Sequence, residues 1–167
     1  LYRRIGGITR NSFDRIDFHD LDKSFQEYKT RIFKNNSKIL IKLIKIFSPI
    51  PAFKPIIFHL DDINKIIQFD IFEDNLKIVD LSPDITMSSE SFEFILKNTF
   101  GFDTLTVNGC FEENTENGFI KMTKTMAIEN LNNIGIYIKP SIFLRIDIIF
   151  LFLSRLFVVK NKIKNPT

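Results

Sequence analysis

The stretch PIIFHLDDINKIIQFDIFEDNLKIVDLSPDITM, residues 55–87, indicates the fold class most clearly, because apolar and polar residues alternate along much of it. Alternation with a period of two predicts strands at 56–60, 66–72 and 76–81, and a short fourth strand at 84–87. The Glu-Asp-Asn sequence between the second and third strands is typical of a hairpin, since asparagine tolerates a left-handed turn. The stretch therefore predicts a sheet that is built on a hairpin.

Helical spacing flanks this predicted sheet on both sides. The first helix has one apolar face, formed by Leu21, Phe25, Tyr28 and Ile32, and Asp20 or Asp22 can cap it. The predicted elements outside the strands are helices at 21–33, at 38–47 and from Ser88 or Ser89 onward, an extended segment at 105–111, a strand or helix at 119–131, and a closing helix at 142–159. This order predicts an α+β fold with an antiparallel sheet covered by helices on one face.

Length and charge indicate how the chain is organised. The 167 residues suffice for one domain, and the formal net charge of +3 hides a basic beginning and end around an acidic centre. The basic ends are expected to balance the centre rather than to bind nucleic acid. Within one domain we expect a basic helical segment at 1–54, an α+β core at 55–140, and a C-terminal helix with a basic tail at 141–167.

The predicted helix at 38–47 carries a narrow lysine stripe, Lys38, Lys42 and Lys45, beside apolar residues. A wide apolar face with so thin a stripe is typical of a well-buried helix, the interpretation that we favour. It also suits a helix lying on an anionic membrane surface. Together with the helix at 142–159, this second interpretation makes a peripheral membrane-binding module the first alternative function.

Cysteine usage and apolar runs bear on location. Cys110 is the one cysteine, so no intrachain disulfide can form, which fits a reducing compartment. Charged residues interrupt the most apolar segment, 142–159. Its longest uncharged run is therefore well short of the ~20 residues that a membrane-spanning helix needs. Residues 1–7 contain no apolar run like the core of a signal peptide. Because the chain does not begin with Met, we expect either a piece of a longer chain or a missing start. The expected location is cytoplasmic, with the membrane surface as the alternative.

One segment carries a family resemblance: DITMSSESFEFILKNTFGFDTLTVNGCFE, residues 84–112. It resembles the region that follows the catalytic domain in some bacterial metallo-β-lactamase-fold hydrolases and is similar to the sterol-carrier-protein fold. There a hairpin leads to a strand, then to a short helix beginning with small polar residues, then to a segment ending near a glycine, here Gly109. The resemblance covers about residues 55–138.

This resemblance implies an accessory module with an apolar cleft between sheet and helices. Such a cleft would hold a lipid or another apolar small molecule, shape substrate access, or support assembly. The family's metal cluster, His-x-His-x-Asp-His, is absent, because the chain has only two histidines. We therefore expect no catalytic residue and no cofactor in this chain, and a metal only in a catalytic domain upstream of Leu1. A homodimer formed through 142–159 is a further expectation.

The 19 phenylalanines suit either a core or a ligand cavity. Most are expected in the core. Those predicted to border a cavity and bind its ligand are Phe92, Phe94, Phe100, Phe102 and Phe111.

A second alternative function is a small metal-dependent enzyme. His19 and His59 each lie near aspartates, and imidazole with carboxylates can bind a transition metal. Aspartate near a helix start is, however, ordinary capping. No metal ligand is therefore assigned in the favoured interpretation.

Overall fold

Five strands form a mixed sheet in the computed structural model, which describes residues 15–48, 52–144, 146 and 150. The order across the sheet is β3-β2-β1-β4-β5. The strands are β1 (Ile56–Leu60), β2 (Lys65–Phe69), β3 (Lys77–Ile78), β4 (Ile85–Met87) and β5 (Glu112–Glu113). The hairpin predicted from the sequence is present, since β2 pairs antiparallel with β3, although β3 is shorter than the predicted 76–81.

The prediction of a purely antiparallel sheet is wrong. Strands β1 and β4 run parallel, with Phe58 opposite Ile85 and Leu60 opposite Met87, whereas the other three pairs are antiparallel. The chain crosses from β3 to the far side of β1 in residues 79–84. Alternation identifies a strand and its buried face but carries no information on direction, so the sequence could not show this crossover.

One face of the sheet is buried, and the apolar residues that alternate along the strands lie on it. Phe58 and Phe69 point from this face into the helices, where Phe69 meets Phe25 and Phe58 meets Phe92 at ring-centroid distances of 5.3 and 5.1 Å. The buried strand residues on this face are Ile56, Phe58, Leu60, Ile67, Phe69, Ile85 and Met87. Helices therefore cover the face that the alternation predicts as apolar.

Five helices and a short 3-10 turn are described. Asp17 caps α1 by accepting from the His19 N–H, so the predicted caps at Asp20 and Asp22 lie three and five residues too late. Ser37 and Ser88 cap α2 and α3 through their hydroxyls, and Ser88 is one of the two serines at which the sequence predicts that α3 begins. The bounds are α1 (Phe18–Asn35), α2 (Lys38–Phe47), α3 (Ser89–Lys97), α4 (Gly101–Asn108), α5 (Gly118–Asn133) and the turn Pro140–Leu144.

The extended segment predicted at 105–111 is instead the end of helix α4. Gly109 ends this helix in the left-handed conformation, with φ +63°, which glycine adopts without steric cost. At its start, a Cβ on Gly101 would lie 2.5 Å from the Phe94 carbonyl oxygen, so only glycine lets α4 approach α3 this closely. Burial of Phe102 and Leu105 outweighs the strand propensity of the threonines and valine.

The remaining expectations concern the C-terminal part. Residues 119–131, which fit either a strand or a helix, belong to α5. The predicted closing helix at 142–159, and the dimer contact through it, fall largely outside the described residues. The segment that precedes it is held against the junction of α1 and α2 at Ile138. Asn36 Oδ1 accepts from the Ile138 N–H, and the Ser37 N–H donates to the Ile138 carbonyl, both at 2.7 Å.

Candidate functional site

A groove lies between the second half of α2, the segment that leads into β1, and the loop that follows β2. Its volume is about 380 Å³, within the roughly 300–1,000 Å³ of small-molecule sites. The walls are formed by Lys42, Lys45, Ile46, Lys54, Pro55 and Phe72. Because the lysine stems are apolar, the walls are apolar even where a charged residue contributes to them.

The Lys45–Asp70 ion pair joins α2 to the sheet beside this groove. Lys45 Nζ lies 2.7 Å from Asp70 Oδ2, and both side chains are largely buried. Asp70 Oδ1 accepts from the Phe72 N–H at 3.0 Å, which fixes the start of the loop after β2. The Lys45 ammonium also lies 4.8 Å from the centre of the Phe72 ring, a favourable cation–π distance. Phe72 is thereby held in position as one groove wall.

Two further cations line the groove. Lys42 and Lys54 are exposed, and among the described residues neither forms an ion pair with a carboxylate. Lys45, in contrast, is neutralised by Asp70. The groove therefore combines apolar walls with uncompensated positive charge, an arrangement that suits a molecule with an apolar chain and an acidic head.

The outer face of α2 is apolar and exposed. Ile41 is the only fully buried residue of this helix. Ile39, Leu43, Ile46 and Phe47 are 73, 43, 62 and 75% exposed. The favoured interpretation of this segment as a well-buried helix is therefore wrong. Only one narrow side of α2, around Ile41, is buried, and the apolar residues on a second side are exposed.

The three lysines of the stripe have different surroundings. Lys45 points inward to Asp70, while the Lys38 ammonium lies 5.5 Å from the centre of the Phe33 ring. Lys38 and Lys42 are exposed, as a role at a membrane surface requires. The prediction that all three contact lipid stays a prediction, with Lys45 already engaged in an ion pair.

The five phenylalanines predicted to bind a ligand lie in three environments. Phe92 and Phe102 belong to the hydrophobic core. Phe94 and Phe100 are 40 and 58% exposed. Phe111 is half-buried and stacks on Phe119 with ring centres 5.6 Å apart. The groove has six other residues as its walls, so the ligand-binding role of these five phenylalanines stays a prediction.

The two histidines lie on different elements. His19 is an exposed residue in the first turn of α1, and His59 lies on β1 with its Nδ1 3.5 Å from the Thr86 hydroxyl. Asp62, one of the aspartates near His59, instead accepts from the Ser89 N–H at 2.7 Å. In the part of the chain that the structure describes, no three His, Cys, Asp or Glu side chains are grouped to hold a metal.

Helix α5 carries a buried acid, Glu129. Glu129 of α5 is 2% exposed, and its Oε1 accepts from Arg31 at 2.7 and 3.1 Å. Its other oxygen, Oε2, has no hydrogen-bond partner among the described residues. Desolvation by burial raises the pKa of Glu129 to about 7, and the Arg31 hydrogen bond and charge oppose this rise.

Glu129 is expected to make stability pH-dependent. Since its folded pKa lies above the ordinary value of 4.5, the folded chain holds this proton more tightly than the unfolded chain does. Its contribution to stability is therefore greatest below pH 4.5 and declines as the pH rises through about 7. Glu129→Gln should flatten the fall in melting temperature between about pH 5 and 8. Thermal unfolding across this range measures it, and the exposed Glu90→Gln is the control that keeps the wild-type slope.

No protein-family model, curated protein or solved structure matches this chain. Among the described residues, no helix has both the length and the apolar character needed to cross a bilayer.

Proposed function

We propose that this chain is a non-catalytic accessory module that binds the apolar portion of a ligand in the groove between α2 and the sheet. The observation that carries the proposal is the groove itself, with Ile46, Pro55 and Phe72 among its walls. Lys42 and Lys54 add positive charge beside these walls, so the ligand class that fits best is a single-chain amphiphile with an acidic head.

The order of elements gives this proposal further support. The β2–β3 hairpin leads to β4, then to a short helix that begins at the Ser88 cap, then to a segment that ends at Gly109. This is the order implied by the resemblance to the sterol-carrier-like region of metallo-β-lactamase-fold hydrolases. The parent enzyme's metals and catalytic residues would lie in an upstream domain, and this module would hold a substrate portion or support assembly.

Titration with a dansyl-labelled undecanoic acid tests the proposal in the absence of any membrane. We expect a saturable rise in dansyl fluorescence with the wild-type chain. Ile46→Asp should weaken binding at least about tenfold, because it places a charge against the apolar chain of the ligand. Since Ile46 is largely exposed in the free chain, this substitution should leave the fold intact.

Val107→Asp is the matched control, because Val107 is also a highly exposed apolar residue but does not line the groove. It should bind the probe as the wild type does. The proposal fails if the wild-type chain shows no saturable binding, or if Val107→Asp weakens binding as much as Ile46→Asp does.

A further inference from the structure

An exposed apolar strip, which none of the residues that the structure describes covers, runs along α2 and is formed by Ile39, Leu43, Ile46 and Phe47. Their spacing of i, i+4, i+7 and i+8 puts them on one side of the helix. The other side holds α2 to the molecule through Ile41, which is fully buried, and through the Lys45–Asp70 pair. Soluble proteins commonly expose single apolar side chains, but four large ones side by side on a ten-residue helix form a contiguous apolar patch. Patches of this kind mark interaction surfaces, so we expect a partner to cover the strip.

Positive charge borders this strip. Lys42 lies three positions after Ile39 and four before Ile46, at the edge of the strip, and Lys38 lies four positions before Lys42 in the same row. Among the described residues neither pairs with a carboxylate, and α2 itself has no acidic residue. Lysine stems can lie along an apolar surface while their ammonium groups reach outward to a polar layer. The edge is thus complementary to anionic head groups that lie above an apolar layer.

A second copy of this chain fits the strip less well than a bilayer does. Two copies meeting through α2 would bring two lysine edges together with no acidic residue of α2 between them. An anionic bilayer supplies both components, acyl chains for the strip and phosphates for the lysines. A helix of this length spans about 15 Å, so it can lie in the interface but cannot cross it.

We infer that α2 docks this module on an anionic lipid bilayer, with the strip in the acyl boundary and Lys38 and Lys42 at the head groups. Ile46 and Lys42 also line the groove, so docking turns the groove opening toward the lipid. A ligand with an acyl chain can then pass between bilayer and groove with little exposure to water. The docking does not depend on the groove proposal, because Ile39, Leu43 and Phe47 are not groove walls.

A single-tryptophan reporter tests the docking at the residue level, because the chain has no tryptophan of its own. Phe47→Trp should show a blue shift of its emission on adding vesicles of phosphatidylcholine mixed with phosphatidylglycerol, and no shift with phosphatidylcholine alone. Val107→Trp, at a comparably exposed apolar position on α4, should show no shift with either. The inference is overturned if Phe47→Trp does not shift, or if both reporters shift equally.

Co-sedimentation with the same vesicles supplies the second measurement. The double variant Ile39→Asp/Leu43→Asp and the double variant Lys38→Glu/Lys42→Glu should each lower the vesicle partition coefficient at least about tenfold. Raised salt should weaken wild-type binding, since head-group attraction is screened. Unchanged binding of both double variants overturns the inference. The Ile39→Asp/Leu43→Asp chain should still bind the dansyl probe, so failure of docking and failure of the groove are distinguishable.

Discussion

Phe69→Ala is expected to lower the free energy of unfolding by about 3–5 kcal/mol, the range for truncating a fully buried phenylalanine. Phe69 is fully buried at the end of β2. Its ring is the point where sheet and helices meet, with centroid distances of 5.3–6.4 Å to the rings of Phe25, Tyr28, Phe58 and Phe92. Truncation leaves a cavity whose walls come from α1, α3 and β1. No single one of these elements can move to fill it.

Chemical denaturation followed by far-UV circular dichroism measures this loss. Phe94→Ala is the control, because Phe94 is on α3 but 40% exposed, and it should cost less than about 1 kcal/mol. Equal costs at the two positions would contradict the central place of Phe69 in the core. The probe titration on Phe94→Ala also tests the sequence prediction that this residue binds ligand.

Asp84→Ala is expected to cost about 3 kcal/mol, because it removes a buried carboxylate that joins β1, α5 and the loop between β5 and α5. Asp84 Oδ2 accepts from the Ile57 N–H of β1 at 2.9 Å and from Lys121 Nζ of α5 at 2.6 Å. Asp84 Oδ1 accepts from the Thr115 hydroxyl, in the loop between β5 and α5, at 3.4 Å. Without the carboxylate, the Ile57 N–H is buried and unpaired at the point where the crossover enters β4.

Hydrogen exchange at the Ile57 amide measures the loss of its hydrogen bond, and chemical denaturation measures the change in the free energy of unfolding. Asp84→Asn keeps an acceptor for the Ile57 N–H while losing the ion pair, so it should cost less than Asp84→Ala. Asp80→Ala, an exposed aspartate of the same crossover, should be nearly neutral. If Asp84→Ala is as mild as Asp80→Ala, the assigned role of Asp84 is wrong.

Periodicity predicted those parts of the fold that one buried face determines. Leu21, Phe25, Tyr28 and Ile32 are all buried along α1, as their spacing requires. The same holds for the apolar side of β1. The direction of β4 could not be predicted this way, because it depends on pairing with the distant strand β1. The helical state of residues 101–108 was missed because it depends on packing against α3 rather than on local propensity.

The groove was beyond the reach of sequence patterns for a similar reason. Its walls come from α2, from Lys54 and Pro55, and from Phe72, which no local pattern joins. Lys45 and Lys42 belong to one stripe in the sequence, yet only Lys45 faces a buried aspartate. The one available signal was the width of the apolar face of 38–47, which exceeds what a single packing side can bury.

Photo-crosslinking with a diazirine-labelled fatty acid, followed by mass-spectrometric mapping, tests the groove most directly. If an apolar chain lies between α2 and the sheet, the label is expected within residues 42–46, at Lys54 or Pro55, or at Phe72. Excess unlabelled fatty acid should suppress the labelling. Suppressible label at Phe92, Phe94, Phe100, Phe102 or Phe111 instead, or no suppressible label at all, would contradict this placement of the apolar chain.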